Sequence, residues 1–269
     1  MQLIAMHGWA GDARGWGPFQ AAWERRGWHG QCGDRGYGPR PPQTVAWLDS
    51  AGPRVVIAHS FGPHLLPSHV LKQADAVVLL ASFGRFVPEG RSGRQLRHAL
   101  AAMADQLRGP DAETMLQAFL ERAAAPQSTS LLPPGIPTEP LGQSGRQRLG
   151  EDLERLANTA GLPAGFPTEA RVLIVEGGED QIVVPEARQL LRSALPAADT
   201  LVLAGVGHCL LSPALEPLVC GWIEGLALNN RRQLASASED GVVRLWSLTG
   251  DLLASKRLSD SHLMSVTFS

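Results

Sequence analysis

Residues 54–62 read Arg-Val-Val-Ile-Ala-His-Ser-Phe-Gly, a short apolar run that stops at Ser60, with Ala58 and Gly62 two residues to either side. The run is of strand length and rich in β-branched residues, which predicts a buried strand. The residues after it predict a sharp turn into the helical stretch GPHLLPSHVLKQ at 62–73. A serine at such a junction projects its Oγ from the turn and needs small neighbours, because bulky side chains two residues away would strike the adjacent strand and helix. Pro63 falls in the first helical turn, where a missing N–H costs little.

Four more runs repeat the pattern: QLIAM (2–6), DAVVLLA (75–81), RVLIVEG (171–177) and DTLVLAG (199–205). All five are expected to be buried central strands alternating with crossover helices. The result is an α/β fold with a mostly parallel sheet and helices on both faces. Trp16, Phe19 and Trp23 stand at i, i+3 and i+7, the apolar stripe of the first helix. Five of the seven Trp precede residue 50, and most are expected to pack.

Between Phe83 and Arg171 the strand rhythm stops, and RSGRQLRHALAAMADQLRG, DAETMLQAFLERAAA and GEDLERLANTAG read as helices. An insertion of this length without structure is improbable in a compact domain, so a helical cap over about 85–165 is expected within a domain of residues 1–228. Residues 229–269 change character: LASASEDGVVRLW resembles the middle strands of a WD-repeat blade, and HLMSVTFS the opening strand of the next. One repeat cannot close a propeller. The segment is expected to be a loosely attached hairpin or a disordered tail.

The net charge of −2 argues against a nucleic-acid partner or a polybasic membrane anchor. No apolar run approaches the roughly 18 residues of a membrane span. Three scattered cysteines, Cys32, Cys209 and Cys220, give no disulfide framework, and MQLIAMHGW lacks the basic region of a secretory signal. A cytoplasmic protein is expected. The eight His show no HxxxH spacing, and neither a CxxC, a G-x-G-x-x-G nor a P-loop occurs, so neither metal nor cofactor is expected.

The remaining reactive groups follow strands in the order Ser, acid, His. After RVLIVEGG comes Glu179-Asp180-Gln181-Ile182-Val183-Val184-Pro185, and after DTLVLAG comes Val206-Gly207-His208. In this order and setting the three resemble the parts of a Ser-His-acid hydrolase triad, and the resemblance implies Ser60 as nucleophile, Asp180 as orienting acid and His208 as base, with Glu179 in reserve for Asp180. Cys209 beside His208 is a weaker nucleophile candidate, since chain neighbours point apart.

Ala58-His59-Ser60-Phe61-Gly62 resembles the G-x-S-x-G nucleophile elbow of the α/β-hydrolases, with Ala58 for the first Gly, and the acid loop resembles that superfamily's G-x-x-D-x-I-V-P. The resemblance implies oxyanion donors at the amides of Trp9, in Met6-His7-Gly8-Trp9-Ala10-Gly11, and Phe61, with His7 orienting the loop. HGWAGDARGW (7–16), GDRGYG (33–38), AHSFG, GVGH and GEDLERL make residues 1–228 look most like the pimeloyl-[acyl-carrier protein] methyl ester esterases of biotin synthesis, in a compact, cyanobacterial-type version. That likeness implies a methyl ester on a carrier-bound C7 chain, cleaved to free the pimeloyl group. It also implies an apolar channel walled by Trp9, Phe61, Phe83 and Phe86. The start of the cap is arginine-rich, and Arg91, Arg94 and Arg97 are candidates for docking an acidic acyl carrier protein. The competing readings are a broad carboxylesterase for small esters and a non-catalytic interaction protein acting through its cap or WD-like tail.

Overall fold

The run Arg54–His59 is a strand, β3, in the middle of a six-stranded sheet. Its companions are β1 (Gln2–Met6), β2 (His29–Gly33), β4 (Ala76–Leu80), β5 (Arg171–Gly177) and β6 (Asp199–Leu203), in the order β2-β1-β3-β4-β5-β6 and parallel throughout. The computed structural model describes residues 1–133, 140–225, 233–237, 242–247 and 252–257. By their contacts the residues divide into two units, Met1–Ser212 and Pro213–Ser269.

In the first unit the expected α/β architecture is present. Ile4, Met6, Val56, Ala58, Val77, Leu79, Val172 and Ile174 point to one face, where they pack against Val70 and Leu71 of α3 (Ser68–Lys72) and Leu191 of α7 (Pro185–Ala194). Their alternates Leu3, Ala5, Val55, Ile57, Val78, Leu173 and Val175 are equally buried, as strands covered on both faces require. Two strands depart from expectation. The run at 199–203 is an edge strand paired only with β5, and Val202 is 55% exposed. At the other edge, β2 is a strand that HGQCG did not announce. Its Gly30 lies under the Trp23 indole, so close that a Cβ there would sit 2.1 Å from the ring. Trp16, Phe19 and Trp23, on and just before α1 (Gly17–Arg25), are buried with ring centroids 5.6 and 6.1 Å apart.

The predicted helix at 62–73 is broken in two, α2 (Gly62–Leu65) and α3, because Pro67 forces Leu66 into extended backbone. Between β4 and β5 the described residues form three α-helices, α4 (Gly90–Arg108), α5 (Ala112–Ala124) and α6 (Gln143–Ala157), and a short 3-10 turn at Thr129–Leu131. Their apolar stripes, including Leu100, Leu107, Met115, Leu116, Leu149 and Leu153, share one cluster with Trp9, Phe61, Phe83 and Phe86.

The second unit contains α8 (Leu215–Gly225) and three antiparallel strands, β7 (Gln233–Ala237), β8 (Val242–Ser247) and β9 (Leu252–Arg257), ordered β7-β8-β9. The stretch resembling a WD blade falls on β7 and β8, and a third strand follows where a hairpin or disorder was expected. HLMSVTFS lies outside the described residues.

Gly62 has no room for a side chain, since its Cβ would sit 2.4 Å from the Met6 carbonyl oxygen, whereas a Cβ on Gly150 within α6 meets nothing within 4 Å. Urea unfolding is therefore expected to show Gly62→Ala destabilised by about 1–3 kcal/mol. Gly150→Ala is expected to be more stable by about 0.5–1 kcal/mol, because alanine loses less backbone freedom in a helix.

Candidate active site

The ends of β1, β3, β5 and β6 converge at the C-terminal edge of the sheet, where β1 and β3 are neighbours although the chain visits β2 between them. Open parallel sheets place their sites at such a switch point. Ser60 follows β3 with φ 54°, in the left-handed region that a non-glycine residue rarely adopts. The strained turn is held on both sides, as Ser60 N donates to Leu80 O at 2.8 Å and Ser82 Oγ donates to Ser60 O at 2.7 Å. Gly8 makes room for it, since a Cβ there would lie 2.7 Å from Ser60 Cβ.

The structure brings Ser60, His208 and Asp180 into one chain of hydrogen bonds: His208 Nε2 lies 2.9 Å from Ser60 Oγ, and His208 Nδ1 lies 2.9 Å from Asp180 Oδ2. All three are buried. The second carboxylate oxygen of Asp180 accepts from the Ile182 amide at 2.7 Å and the Val183 amide at 3.0 Å. Burial alone would raise this carboxyl, but the charge and hydrogen bond of His208 and those two amides outweigh it and hold it below the usual range. With Nδ1 donating to a carboxylate, Nε2 is left to accept the Ser60 proton. Glu179 is exposed, so Asp180 holds the place for which Glu179 was the reserve.

The cap clamps the histidine loop. Cys209 N donates to Ala123 O at 3.0 Å, Gln127 Nε2 donates to Gly205 O at 2.6 Å, and Gly207 N donates to Gln127 Oε1 at 3.3 Å. Burial and the Asp180 charge push the Cys209 thiol up to about 12, so it stays protonated and is a poor nucleophile.

In the loop after β1, His7 Nδ1 donates to Gly8 O at 2.7 Å and Nε2 accepts from Arg35 N at 3.0 Å. Both nitrogens are occupied in shaping the loop. Trp9 points its indole at the cap, donating to Leu149 O at 2.9 Å and meeting Phe119 edge-on at 5.0 Å. The amides of Trp9 and Phe61 have no acceptor among the described residues. Phe61 and Phe83 stack at 6.3 Å, and Phe83 meets Phe86 at 4.8 Å, so these three rings form one apolar wall with Trp9 in the same cluster. Arg91, Arg94 and Arg97 lie on the exposed face of α4, and no ion pair engages them among the described residues.

Two groups escaped the sequence reading. Asp152, fully buried on α6, receives Arg35 through Nε and Nη2, Tyr37 Oη at 2.9 Å and Arg155 Nη1 at 2.7 Å. This ties the cap to the loop after β2, and Arg155 goes on to donate to His64 O at 2.9 Å and to cover the Phe61 ring. GDRGYG and GEDLERL contain these partners, but nothing in either stretch signals their pairing. The other is His59, half-buried beside Ser60, whose Nε2 lies 2.9 Å from His208 O. Burial first, then the neighbouring His208, push its pKa down to about 4.

Among the described residues, no group of three or more His, Cys, Asp or Glu side chains is arranged to hold a metal, and no helix is long and apolar enough to cross a membrane.

No protein-family model matches the chain, and no curated protein matches it significantly. Solved structures do. An enol-lactonase from Burkholderia xenovorans is similar at 16% identity, covering 82% of this chain and 90% of its own, with a TM-score of 0.62. A hydrolase from Oleispira antarctica is similar at 12% identity over 82% and 90%, with a TM-score of 0.59. A thermophilic esterase from Thermogutta terrifontis is similar at 13% identity over 83% and 89%, also with a TM-score of 0.59. With its six-stranded parallel sheet and this likeness over most of its length, the chain has the α/β-hydrolase fold.

Proposed function

We propose that the chain hydrolyses carboxylic esters with Ser60 as nucleophile, His208 as general base and acid, and Asp180 as the carboxylate that fixes the His208 tautomer. The observation that carries this reading is the pair of 2.9 Å hydrogen bonds linking the three, with the serine on a strained turn at the sheet edge. Two similar structures named an enol-lactonase and an esterase support the same type of bond.

His208 takes the Ser60 proton as Oγ attacks the ester carbonyl. The amides of Trp9 and Phe61 receive the oxyanion, and two such donors are worth several kcal/mol of transition-state stabilisation. His208 then gives its proton to the leaving alkoxide. Water, deprotonated by His208, attacks the acyl-enzyme and frees Ser60. Asp180 serves this cycle as an anion and His59 as a neutral ring, and the depressed values of both keep them so at neutral pH.

For the acyl group we take the finer reading, the methyl ester of a pimeloyl chain on an acyl carrier protein. The sequence resemblance supports it, as do the apolar cluster around Phe61, Phe83 and Phe86 and the exposed Arg91, Arg94 and Arg97.

Against short p-nitrophenyl esters, Ser60→Ala is expected to lower kcat by about 10⁶-fold and Asp180→Asn by about 10⁴-fold, and a fluorophosphonate probe is expected to label the parent but not Ser60→Ala. An unlabelled parent would move the reading to a non-catalytic interaction protein. On the carrier-bound methyl ester, KM is expected to rise steeply with salt and about tenfold in the triple Arg91→Glu, Arg94→Glu, Arg97→Glu variant. Equal turnover of free methyl pimelate and the carrier-bound ester would favour a broad esterase.

Stability should also depend on pH. The folded pKa of His59 lies below its ordinary value, so the unfolded chain binds the extra proton first, and stability falls as pH drops from about 6.5 towards 4. The groups whose charges act on His59 are His208, Asp180 and His7. Asp180 adds a further loss below about 3.8. Urea unfolding at pH 7, 5.5 and 4.5 is expected to give declining free energies, with a shallower decline in His59→Gln.

A further inference from the structure

The hydrogen bond from Ser60 to His208 spans two loops that the fold builds separately, one closing β3 and the other following β6. Its length depends on where the backbone of His208 sits as well as on the rotamers of the two side chains. Several contacts hold the histidine loop to the body: Glu179 N donates to Val206 O at 2.9 Å, Cys209 N to Ala123 O at 3.0 Å, and Gln127 brackets Gly205 and Gly207. These bonds fix the loop to β5 and to the cap, not to the strand that carries Ser60.

A different tie does that. His59, the last residue of β3, places Nε2 2.9 Å from the His208 carbonyl oxygen, and the two rings lie 5.0 Å apart. A carbonyl oxygen only accepts, so Nε2 carries the proton and donates. The other ring nitrogen faces Gly8, where a Cβ would come within 3.2 Å of Nδ1. The residue before the nucleophile thus bonds the main chain of the base, while the nucleophile bonds its ring.

We propose that His59 is a positioning residue that holds the His208 backbone at the distance from which its ring reaches Ser60 Oγ, an inference that rests on the reading of Ser60 and His208 as the working pair. His59 neither touches substrate nor moves a proton in the cycle. Its depressed pKa fits this use, since a neutral ring keeps the Nε2 proton for the carbonyl without adding a second cation beside His208.

Glutamine and asparagine separate the hydrogen bond from mere bulk, because a glutamine amide reaches the position of Nε2 whereas an asparagine amide reaches only that of Nδ1. The experiment measures kcat and KM for p-nitrophenyl butyrate, together with the melting temperature, in the parent, His59→Gln and His59→Asn. His59→Asn is expected to lose about 10–100-fold in kcat, the scale of a roughly 1 Å misplacement of a reacting group. Its KM should stay within threefold and its melting temperature close to that of His59→Gln, while His59→Gln recovers kcat to within about threefold of the parent. Equal kcat in the two variants, a loss confined to KM, or a loss that tracks melting temperature would overturn the positioning role. So would failure of both variants to fold. A parent that turns over no ester removes the esterase reading and this inference with it, whereas an active parent with an unaffected His59→Asn removes the inference alone.

Discussion

The C-terminal ends of β1 and β3 run side by side, and at the site they are so close that neither loop has room for a side chain facing the other. A Cβ on Gly62 would meet the Met6 carbonyl at 2.4 Å, and one on Gly8 would meet Ser60 Cβ at 2.7 Å. This close approach packs the loop that carries the Trp9 amide against the turn that carries the Phe61 amide, the two donors of the proposed cycle. It also explains why Ser60 can adopt φ 54°: sheet hydrogen bonding from Leu80 and the Ser82 hydroxyl hold its two peptide groups, so relaxing the turn would break bonds in a buried environment.

The cap is joined to this edge by polar contacts at defined points as well as by apolar burial. Apolar contact alone tolerates sliding, because many packings bury nearly the same area. Asp152 removes that freedom. A fully buried carboxylate needs its donors; Arg155 travels with it on α6, but Arg35 and Tyr37, on the loop after β2, supply theirs only in one register of that helix. Such a cluster adds little net stability compared with an apolar replacement, so its value lies in position. Through Arg155 on His64 and Phe61, and through Leu149 on Trp9, the register of α6 reaches both loops that flank Ser60.

What the sequence disclosed follows the same division between local and distant interactions. Runs such as RVVIA and RVLIV are apolar on both faces, and that is a local property, so β1, β3, β4 and β5 were legible. HGQCG was not, because an edge strand lying under an indole needs only a glycine where Trp23 lands and has no apolar run to show. The position of β6 at the edge escaped for the converse reason, since DTLVL is apolar enough for a core strand and its lack of a second neighbour is a fact of topology. Pro67 was visible but was read within a helix that it ends. At the site, Ser60, Asp180 and His208 each sit in a short motif after a strand and could be nominated singly. The Arg35–Asp152 pair, 117 residues apart, and the His59–His208 contact, 149 apart, leave no local trace, and only the fold brings them together.

Charge at the base decides whether His59 helps or hinders. In the proposed cycle His208 becomes a cation as Ser60 attacks, with Asp180 as its counter-ion. A second unit charge on His59, whose ring centre is 5.0 Å away, would oppose that cation by roughly 3 kcal/mol at the effective dielectric suited to protein sites, a hundredfold or more in rate. An exposed histidine, with its ordinary value near 6.5, would be partly charged at neutral pH. Burial at the root of the elbow lowers it to about 4 and removes that opposition, while leaving the Nε2 proton to bond the His208 carbonyl. A lysine or arginine at this position could make the same hydrogen bond but would bring the charge with it. The chemistry therefore calls for a donor that is neutral at working pH, and the half-buried imidazole on the last residue of β3 meets that requirement.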